Sequence, residues 1–189
     1  VSALERRLDV GGQDMNSSVT LFGLIQTDAP ITRGSSGGAL LNQKGELIGI
    51  TTAIATADVG AEGLGFAVPI NLALNISKDL VDDGKVYHSF LGILGAQHFE
   101  VAEDGARIFS GVEIQELYGP ANDIYAIGKA GALPGDIIKK VNGKNIKTLD
   151  GLISFLRSKK AGDEISIEII RNGQVITLEF LLDLRPSDV

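Results

Sequence analysis

The sequence predicts a mainly β protein with a few helices, arranged as two domains. Glycine accounts for 24 of the 189 residues, and its usual share is only about 7%, so turn-rich β structure is favoured over a helical bundle. Short β-branched runs alternate with turn signals along the chain. Charge is uneven: residues 1–84 carry 5 basic and 10 acidic side chains, and residues 85–189 carry 12 and 14. This shift predicts one domain over 1–84 and a second over 85–189.

The first domain is predicted to be a set of short strands followed by one helix. Apolar, β-branched runs predict strands at 19–26, 38–42, 47–54 and 64–68. The turn at 43–46 makes the second and third of these a hairpin. Pro69 suits the first turn of a helix, and Gly84 suits its carboxyl-terminal cap.

The second domain has its own pattern of strands and turns. Strands are predicted at 90–94, 108–114, 136–141, 165–170 and 175–182, with a short helix at 120–127. Thr148 is a suitable cap for a helix over 149–158, because Leu149, Leu152, Ile153 and Leu156 then share one face. Asn172-Gly173 predicts a two-residue hairpin turn.

Composition excludes several classes of function. The sequence has no cysteine, so a disulfide scaffold, a catalytic thiolate and a cysteine zinc site are ruled out. The two histidines, His88 and His98, offer little for a metal site, and we expect neither a metal nor a cofactor. A net charge of −7 argues against nucleic acid as a partner. No apolar run reaches the ~18 residues of a membrane span. The chain opens at Val1 without an initiator methionine, and we expect it to be cut from a longer protein.

The glycine- and serine-rich segment at 34–38, Gly-Ser-Ser-Gly-Gly, is the densest unusual motif. Its amides could converge on an anion or an oxyanion, and a serine within it could be a nucleophile. A plain loop between strands and a phosphate-binding loop are the alternatives, although no Lys-Ser/Thr follows. The Gly-x-Ser-x-Gly elbow of α/β-hydrolases is rejected, because that elbow leads into a helix and this segment leads into a hairpin.

Three motifs in order carry a family resemblance. Residues 25–42, Ile-Gln-Thr-Asp-Ala-Pro-Ile-Thr-Arg-Gly-Ser-Ser-Gly-Gly-Ala-Leu-Leu-Asn, resemble the serine segment of the HtrA/Deg family of trypsin-like proteases with PDZ domains. Residues 45–50 and 63–70 resemble the segments that follow it. The resemblance implies the carboxyl-terminal half of a trypsin-like double β-barrel over 1–84, followed by one PDZ domain over 85–189.

The resemblance assigns roles within the protease half. Ser36 is similar to the family nucleophile, and the amides of Gly34 and Ser36 to its oxyanion hole. Ile31, Ile54 and Ala55 fall where the family lines its primary specificity pocket, which implies cleavage after small or medium aliphatic residues; ordinary strand packing explains the same three residues. The family usually has asparagine where Thr32 and Ser35 stand.

The second half carries the PDZ resemblance. Phe90-Leu91-Gly92-Ile93 is similar to the loop whose amides receive a carboxyl-terminal carboxylate while the peptide adds as a strand. Residues 128–138 resemble the family's Ala-Gly-Leu-x-Pro-Gly-Asp segment. Leu152, Ile153 and Leu156 would wall the peptide groove, and core packing is the alternative explanation for each.

The sequence lacks a histidine before Ser36. A serine needs a base within hydrogen-bond reach, so we expect the chain alone to be inactive, with the histidine and aspartate supplied by an absent amino-terminal barrel. The expected parent is a serine endopeptidase of protein quality control that degrades misfolded or carboxyl-terminally exposed polypeptides. We expect a trimer-based homo-oligomer in the periplasm or cell envelope of a bacterium, anchored in a membrane through a further amino-terminal segment. The alternative is a non-catalytic PDZ peptide-binding module or chaperone with a degenerate protease half.

Overall fold

The computed structural model describes residues 1–10, 19–32, 34–54, 64–119 and 123–186. These residues form two compact units, Val1–Val86 and Tyr87–Val189. Strands dominate both units, which confirms the predicted mainly β class with a few helices.

The first unit is built on one antiparallel sheet of five strands in the order β1-β2-β5-β4-β3. Leu24 and Ile25 are consecutive on β2 and therefore point to opposite faces of the sheet. Leu24 packs with Phe66 on one face, and Ile25 packs with Leu40 and Ala67 on the other. Both faces of the sheet are thus covered around β2 and β5. The strands are β1 Ala3–Val10, β2 Val19–Thr27, β3 Ala39–Leu41, β4 Leu47–Ile54 and β5 Gly65–Pro69.

The predicted hairpin and helix of the first unit are both present. Asn42 closes the β3–β4 turn, since its side-chain oxygen accepts from the amides of Lys44 at 2.9 Å and Glu46 at 3.0 Å. Helix α1 spans Ile70–Asp83 after Pro69. Gly84 takes the left-handed conformation, with φ of 70°, and its amide donates to the Leu80 carbonyl at 3.1 Å. This is the predicted glycine cap.

Strand β1 is missing from the sequence prediction. Its residues are mostly exposed and do not alternate between polar and apolar. It is a strand because it pairs with β2, and the register shifts on both sides of Arg6. An edge strand of this kind depends on its neighbour rather than on its own pattern.

The second unit contains a six-stranded antiparallel sheet, in which β12-β11-β9-β8-β7 run in order and β10 pairs with β9. Val112, Ile138, Val141, Ile167 and Ile169 form its fully buried centre. A two-stranded sheet pairs β6 with β13. The elements are β6 Ser89–Phe90, β7 Ile93–Val101, β8 Arg107–Leu117, α2 Ala126–Lys129, β9 Ile137–Val141, β10 Lys144–Asn145, α3 Leu149–Arg157, β11 Glu164–Arg171, β12 Gln174–Leu181 and β13 Asp183–Leu184.

Several predicted elements of the second unit are confirmed and two are corrected. Thr148 caps α3 by accepting from the Gly151 amide at 3.0 Å, and Asn172-Gly173 forms the turn between β11 and β12. The predicted strand at 90–94 is broken after Phe90: Leu91 and Gly92 are not part of a strand, and Gly92 turns the chain with a φ of 74° where it packs against Tyr125. The helix predicted at 120–127 begins only at Ala126; residues 120–122 lie outside the described chain. An Asp183 carboxylate oxygen accepts from the Ala126 amide at 2.7 Å and fixes that start.

Candidate functional site

The glycine-serine loop at 34–38 is held from one side by Thr51 on β4. The Gly37 amide donates to the Thr51 carbonyl at 2.8 Å, and the Thr51 amide donates to the Gly38 carbonyl at 2.9 Å. Thr51 is buried, and its hydroxyl donates to the Ser35 carbonyl. The sequence prediction missed Thr51, although the two threonines at 51 and 52 within an otherwise apolar predicted strand were the available signal. Strand β4 therefore fixes the loop's backbone.

Glycine is required at two positions of this loop. Gly34 has a φ of 95° and Gly37 a φ of 85°, a region that side chains with a Cβ rarely adopt. These conformations give the loop two sharp turns on either side of Ser36. The exposed Ser36 side chain lies between them.

The Ser36 amide points away from Thr51. The Ser35 carbonyl accepts from the Gly38 amide at 2.9 Å as well as from the Thr51 hydroxyl. All described peptide bonds are trans, so the N–H of Ser36 is directed opposite to that carbonyl. Within the described residues no acceptor engages this N–H. The other predicted oxyanion donor, the Gly34 amide, belongs to the peptide bond with residue 33, which lies outside the described residues.

The Ser36 hydroxyl is bonded to the backbone. Its Oγ donates to the Thr52 carbonyl at 3.1 Å. A carbonyl oxygen is not a base that can take the serine proton at neutral pH, so this contact holds the side chain without activating it.

The two positions at which the chain departs from the family pattern contact each other. The Ser35 amide donates to the Thr32 carbonyl at 3.0 Å, and the Thr32 amide donates to the Ser35 Oγ at 3.3 Å. The two hydroxyls are also 3.3 Å apart. Ser35 and Thr32 therefore contact each other through both backbone and side chain at the start of the 34–38 loop.

The predicted pocket residues meet at Gly65. A Cβ added to Gly65 would lie 2.4 Å from Cδ1 of Ile31, so glycine is what allows Ile31 to rest on β5. The backbone of Ile54 pairs with Gly65 in the sheet. Ile31 also lines an open pocket of about 330 Å³, of which Gly65 and Ile54 are not part; its other lining residues are Ala29, Pro30, Ser35, Gly38, Ala39, Leu40 and Thr51. Ala55 lies outside the described residues.

Both histidines belong to the second unit. Nδ1 of His98 lies 3.8 Å from the Glu113 carboxylate across the β7–β8 pair. The backbone carbonyl of His88 accepts from the Arg185 amide at 2.9 Å. The first unit has no histidine in its sequence, so neither residue is placed beside Ser36 by the fold of that unit.

The loop at 90–93 forms the second candidate site. Gly92 faces Tyr125: a Cβ at this position would lie 2.6 Å from the tyrosine side chain. The Tyr125 ring in turn meets the Phe90 ring edge to face, with centroids 5.0 Å apart. The Tyr118 amide donates to the Gly92 carbonyl at 2.8 Å. The loop is therefore a packed turn leading into Ile93, the first residue of β7.

Strand β7 and helix α3 flank this loop. Strand β7 lies at the end of the six-stranded order, so one of its edges is unpaired within the described chain. On α3, Leu152 is 2% exposed and belongs to the core, so it supports the helix from beneath rather than facing an open groove. Ile153 and Leu156 are half-buried. The Ser89 hydroxyl donates to the Leu156 carbonyl at 2.7 Å and ties the start of the loop to the end of α3.

The described residues contain no cluster of three or more His, Asp or Glu side chains placed to hold a metal ion. Over the same residues, no helix is long and apolar enough to cross a membrane.

Comparisons with known proteins divide the chain in the same way as its sequence motifs. A family model described as Trypsin matches residues 7–76, and one described as PDZ domain matches residues 92–182. The periplasmic pH-dependent serine endoprotease DegQ of Escherichia coli is 39% identical over 176 residues, covering 90% of this chain and 38% of DegQ. The periplasmic serine endoprotease DegP of Salmonella typhimurium is 39% identical over 168 residues, covering 86% of this chain and 34% of that protein.

A solved structure gives the same match in three dimensions. The HtrA-type protease AlgW with tripeptide superposes with a TM-score of 0.64 at 34% identity, covering 99% of this chain and 59% of AlgW. The chain thus spans little more than a third of the length of the two curated relatives.

Proposed function

Because the chain belongs to the HtrA/Deg family of trypsin-like serine proteases with PDZ domains, we propose that it is the nucleophile-bearing part of a serine endopeptidase. The observation that carries the proposal is the loop around Ser36, whose amide points away from β4 while its serine side chain is exposed. The histidine base and the aspartate that orients it would come from residues outside these 189.

The proposed reaction is acyl transfer at Ser36. The base takes the hydroxyl proton, Oγ leaves the Thr52 carbonyl and attacks the scissile carbonyl, and an acyl-enzyme forms as the amine departs with a proton from the base. The amides of Ser36 and Gly34 would stabilise the negative oxygen of the tetrahedral intermediate. Preorganisation of this kind needs a rigid loop, and the hydrogen bonds with Thr51 supply it.

The proposed specificity follows from the apolar character of Ile31, Ile54 and Ala55. Ile31 rests on Gly65, and the backbone of Ile54 pairs with Gly65 beside it. Together with Ala55 they would accept a small or medium aliphatic side chain before the cleaved bond. A charged substrate side chain in the same place would find neither a counterion nor a hydrogen-bond partner in the side chains of Ile31, Ile54 and Ala55.

The second unit would bind polypeptide carboxyl termini. The amides of Leu91, Gly92 and Ile93 would receive the terminal carboxylate, and the peptide would pair with the free edge of β7. Ile153 and Leu156 would contact its side chains from α3, with Leu152 supporting them from the core. Misfolded or carboxyl-terminally exposed polypeptides are thus the proposed substrates, and AlgW, solved with a tripeptide, is a precedent for peptide binding.

We place the protein outside the cytoplasm, because the relatives DegQ and DegP are named as periplasmic. A trimer-based homo-oligomer and a membrane anchor are part of the same proposal. Light scattering of the full-length protein tests the trimer-based oligomer, and membrane fractionation tests the anchor.

Labelling of the full-length protein with a fluorophosphonate tests the catalytic proposal. We expect covalent labelling that Ser36→Ala abolishes. Ser77→Ala, an identical change at an exposed serine on α1, is the matched control and should leave labelling unchanged. Absence of labelling in the folded wild-type protein would reject the protease function.

The second candidate function is a non-catalytic peptide-binding module or chaperone with a degenerate protease half. The bond between the Ser36 hydroxyl and the Thr52 carbonyl favours it, since the serine is held by an acceptor that cannot activate it. A full-length protein that binds carboxyl-terminal peptides and resists fluorophosphonate would establish this alternative.

A further inference from the structure

Gln97 on β7 joins three elements of the second unit. Its side-chain oxygen accepts from the Leu149 amide, the first of α3, at 3.1 Å. Its side-chain nitrogen donates to the carbonyls of Gly111 on β8 at 3.0 Å and Lys147 at 2.9 Å, and lies 2.9 Å from the carbonyl of His98. The whole amide is therefore engaged by backbone groups of β7, β8 and the segment before α3.

The position of Gln97 along β7 follows from strand alternation. Ile93, Gly95 and Gln97 share one face of the strand. Ile93 packs against the core, and a Cβ on Gly95 would come within 3.4 Å of the Leu149 side chain. This face is turned towards α3, and Gln97 spans the remaining gap with a polar side chain where an apolar one would be expected.

Two polar ties therefore hold α3 to the strand side of the proposed groove. The Ser89 hydroxyl ties the last turn of α3 beside the 90–93 loop, through the Leu156 carbonyl. Gln97 ties the first residue of α3 at the opposite end. With both ends tied, the separation of the groove walls is set before any peptide arrives.

We propose that Gln97 is a positioning residue that sets the spacing between β7 and the start of α3, and so the affinity for the upstream residues of a bound peptide. This inference rests on the proposed binding of carboxyl termini. A peptide whose carboxylate sits at the 90–93 loop runs antiparallel to β7, and paired strands advance residue for residue. Its last three residues lie beside Ile93 to Gly95, and residues further upstream pass Gln97.

Peptide length separates this role from a general structural one. The probes are a tripeptide and a heptapeptide that share the same three aliphatic carboxyl-terminal residues, titrated into the 189-residue chain and followed by amide NMR shifts. In the wild type we expect the heptapeptide to bind about tenfold more tightly, since its extra residues add main-chain hydrogen bonds to β7. Gln97→Met keeps the side-chain length and removes its hydrogen bonds. We call the ratio of heptapeptide affinity to tripeptide affinity the length advantage. We expect this variant to reduce the length advantage to about twofold, while its affinity for the tripeptide stays within about twofold of wild type.

Two further variants complete the design. Gln174→Met makes the same change at an exposed site on β12, at the opposite end of the sheet, and should keep the full length advantage. Gln97→Glu keeps an acceptor for the Leu149 amide but loses the donor for the carbonyls. Because its second carboxylate oxygen then faces those carbonyls, it should show at least as large a loss of the same kind at neutral pH, and it decides the matter if Gln97→Met does not fold.

The outcomes are distinct. A wild-type chain that is folded and binds neither peptide rejects the proposed peptide binding, and the inference with it. A wild type that binds both, with the length advantage intact in the Gln97 variants, overturns the inference alone. Equal weakening of both peptides also overturns it, because the effect would then not be confined to the upstream residues.

Discussion

Arg171 on β11 binds Asp136 through two parallel hydrogen bonds of 2.6 Å each, Nε to Oδ1 and Nη2 to Oδ2. The Asp136 side chain is 1% exposed. It also accepts from the Leu133 amide at 2.8 Å, and Arg171 donates to the Gly131 carbonyl at 2.7 Å. The hydrogen bond with Asp136 raises the pKa of Arg171 above its ordinary value, so the guanidinium remains charged. The pair thus fastens the Gly131–Asp136 turn to the sheet.

Arg171→Met should destabilise the second unit strongly. The change leaves the buried Asp136 carboxylate without its counterion, which costs about 3–5 kcal/mol of unfolding free energy. All three tyrosines, Tyr87, Tyr118 and Tyr125, lie in this unit, so tyrosine fluorescence in a urea titration measures its stability. Lys140→Met breaks a more exposed pair with Glu168 on the same sheet and should cost about 1 kcal/mol or less. Equal losses for the two variants would show that burial of Asp136 is not decisive.

Thr51→Val should slow the reaction of Ser36 in the full-length protein. It removes the hydroxyl that holds the Ser35 carbonyl, a contribution of about 1 kcal/mol. If the lost hydrogen-bond energy is the energy that orients the Ser36 amide towards the oxyanion, the rate of fluorophosphonate labelling falls about five- to tenfold. Thr52→Val is the matched control, because it makes the same change at the adjacent residue, which accepts from Ser36 through its backbone carbonyl and not through its hydroxyl. An unchanged labelling rate in Thr51→Val would contradict the role given to Thr51.

The 189-residue chain by itself should not cleave casein. No histidine precedes Ser36, and loss of the base costs on the order of 10⁴–10⁶ in turnover. Peptide release from casein by the purified chain is the measurement. Cleavage that Ser36→Ala abolishes would mean that this chain activates its serine without the family's histidine.

Glu100 should titrate below its ordinary range in a way that depends on Lys139. The hydrogen bond from the Lys139 ammonium, 2.7 Å long, lowers the pKa of the Glu100 carboxyl. A lowered folded-state pKa means that the pair stabilises the fold above the ordinary glutamate pKa. That stabilisation is lost as the pH falls through the lowered value.

Carbon-13 NMR of the Glu100 carboxyl across an acid titration checks this prediction. Lys139→Gln should move the Glu100 pKa upward towards its ordinary value, and Lys139→Arg should keep it low because the positive charge remains. High salt should weaken the effect, since the Glu100 carboxylate is exposed. A Glu100 pKa that is identical in wild type and Lys139→Gln would contradict the assignment.

Much of the fold could be predicted from the sequence where the determinant is local. The Asn172-Gly173 turn, the Gly84 cap of α1 and the Thr148 cap of α3 all follow from residues a few positions apart. The Ser36 motif is local in the same sense, because its glycines fix the backbone on either side of it.

Contacts between residues that are far apart in the sequence could not be predicted from such local determinants. Strand β1 exists through its pairing with β2, and the break in the 90–94 strand comes with the packing of Gly92 against Tyr125. The family resemblance implied a groove wall for Leu152, with core packing as the alternative, and the side chain is 2% exposed within the core beneath α3.

The sequence by itself determined the mainly β class, the family motifs, the candidate nucleophile and the lack of a histidine before it. Only the tertiary structure decided that Thr51 holds the Ser36 loop, that Ile31 rests on Gly65, and that Gln97 joins β7 to α3. The physical reason is that caps and turns are satisfied by neighbours in the chain. A hydrogen bond across 52 residues, from the Leu149 amide to Gln97, is satisfied only after the sheet and the helix have packed together.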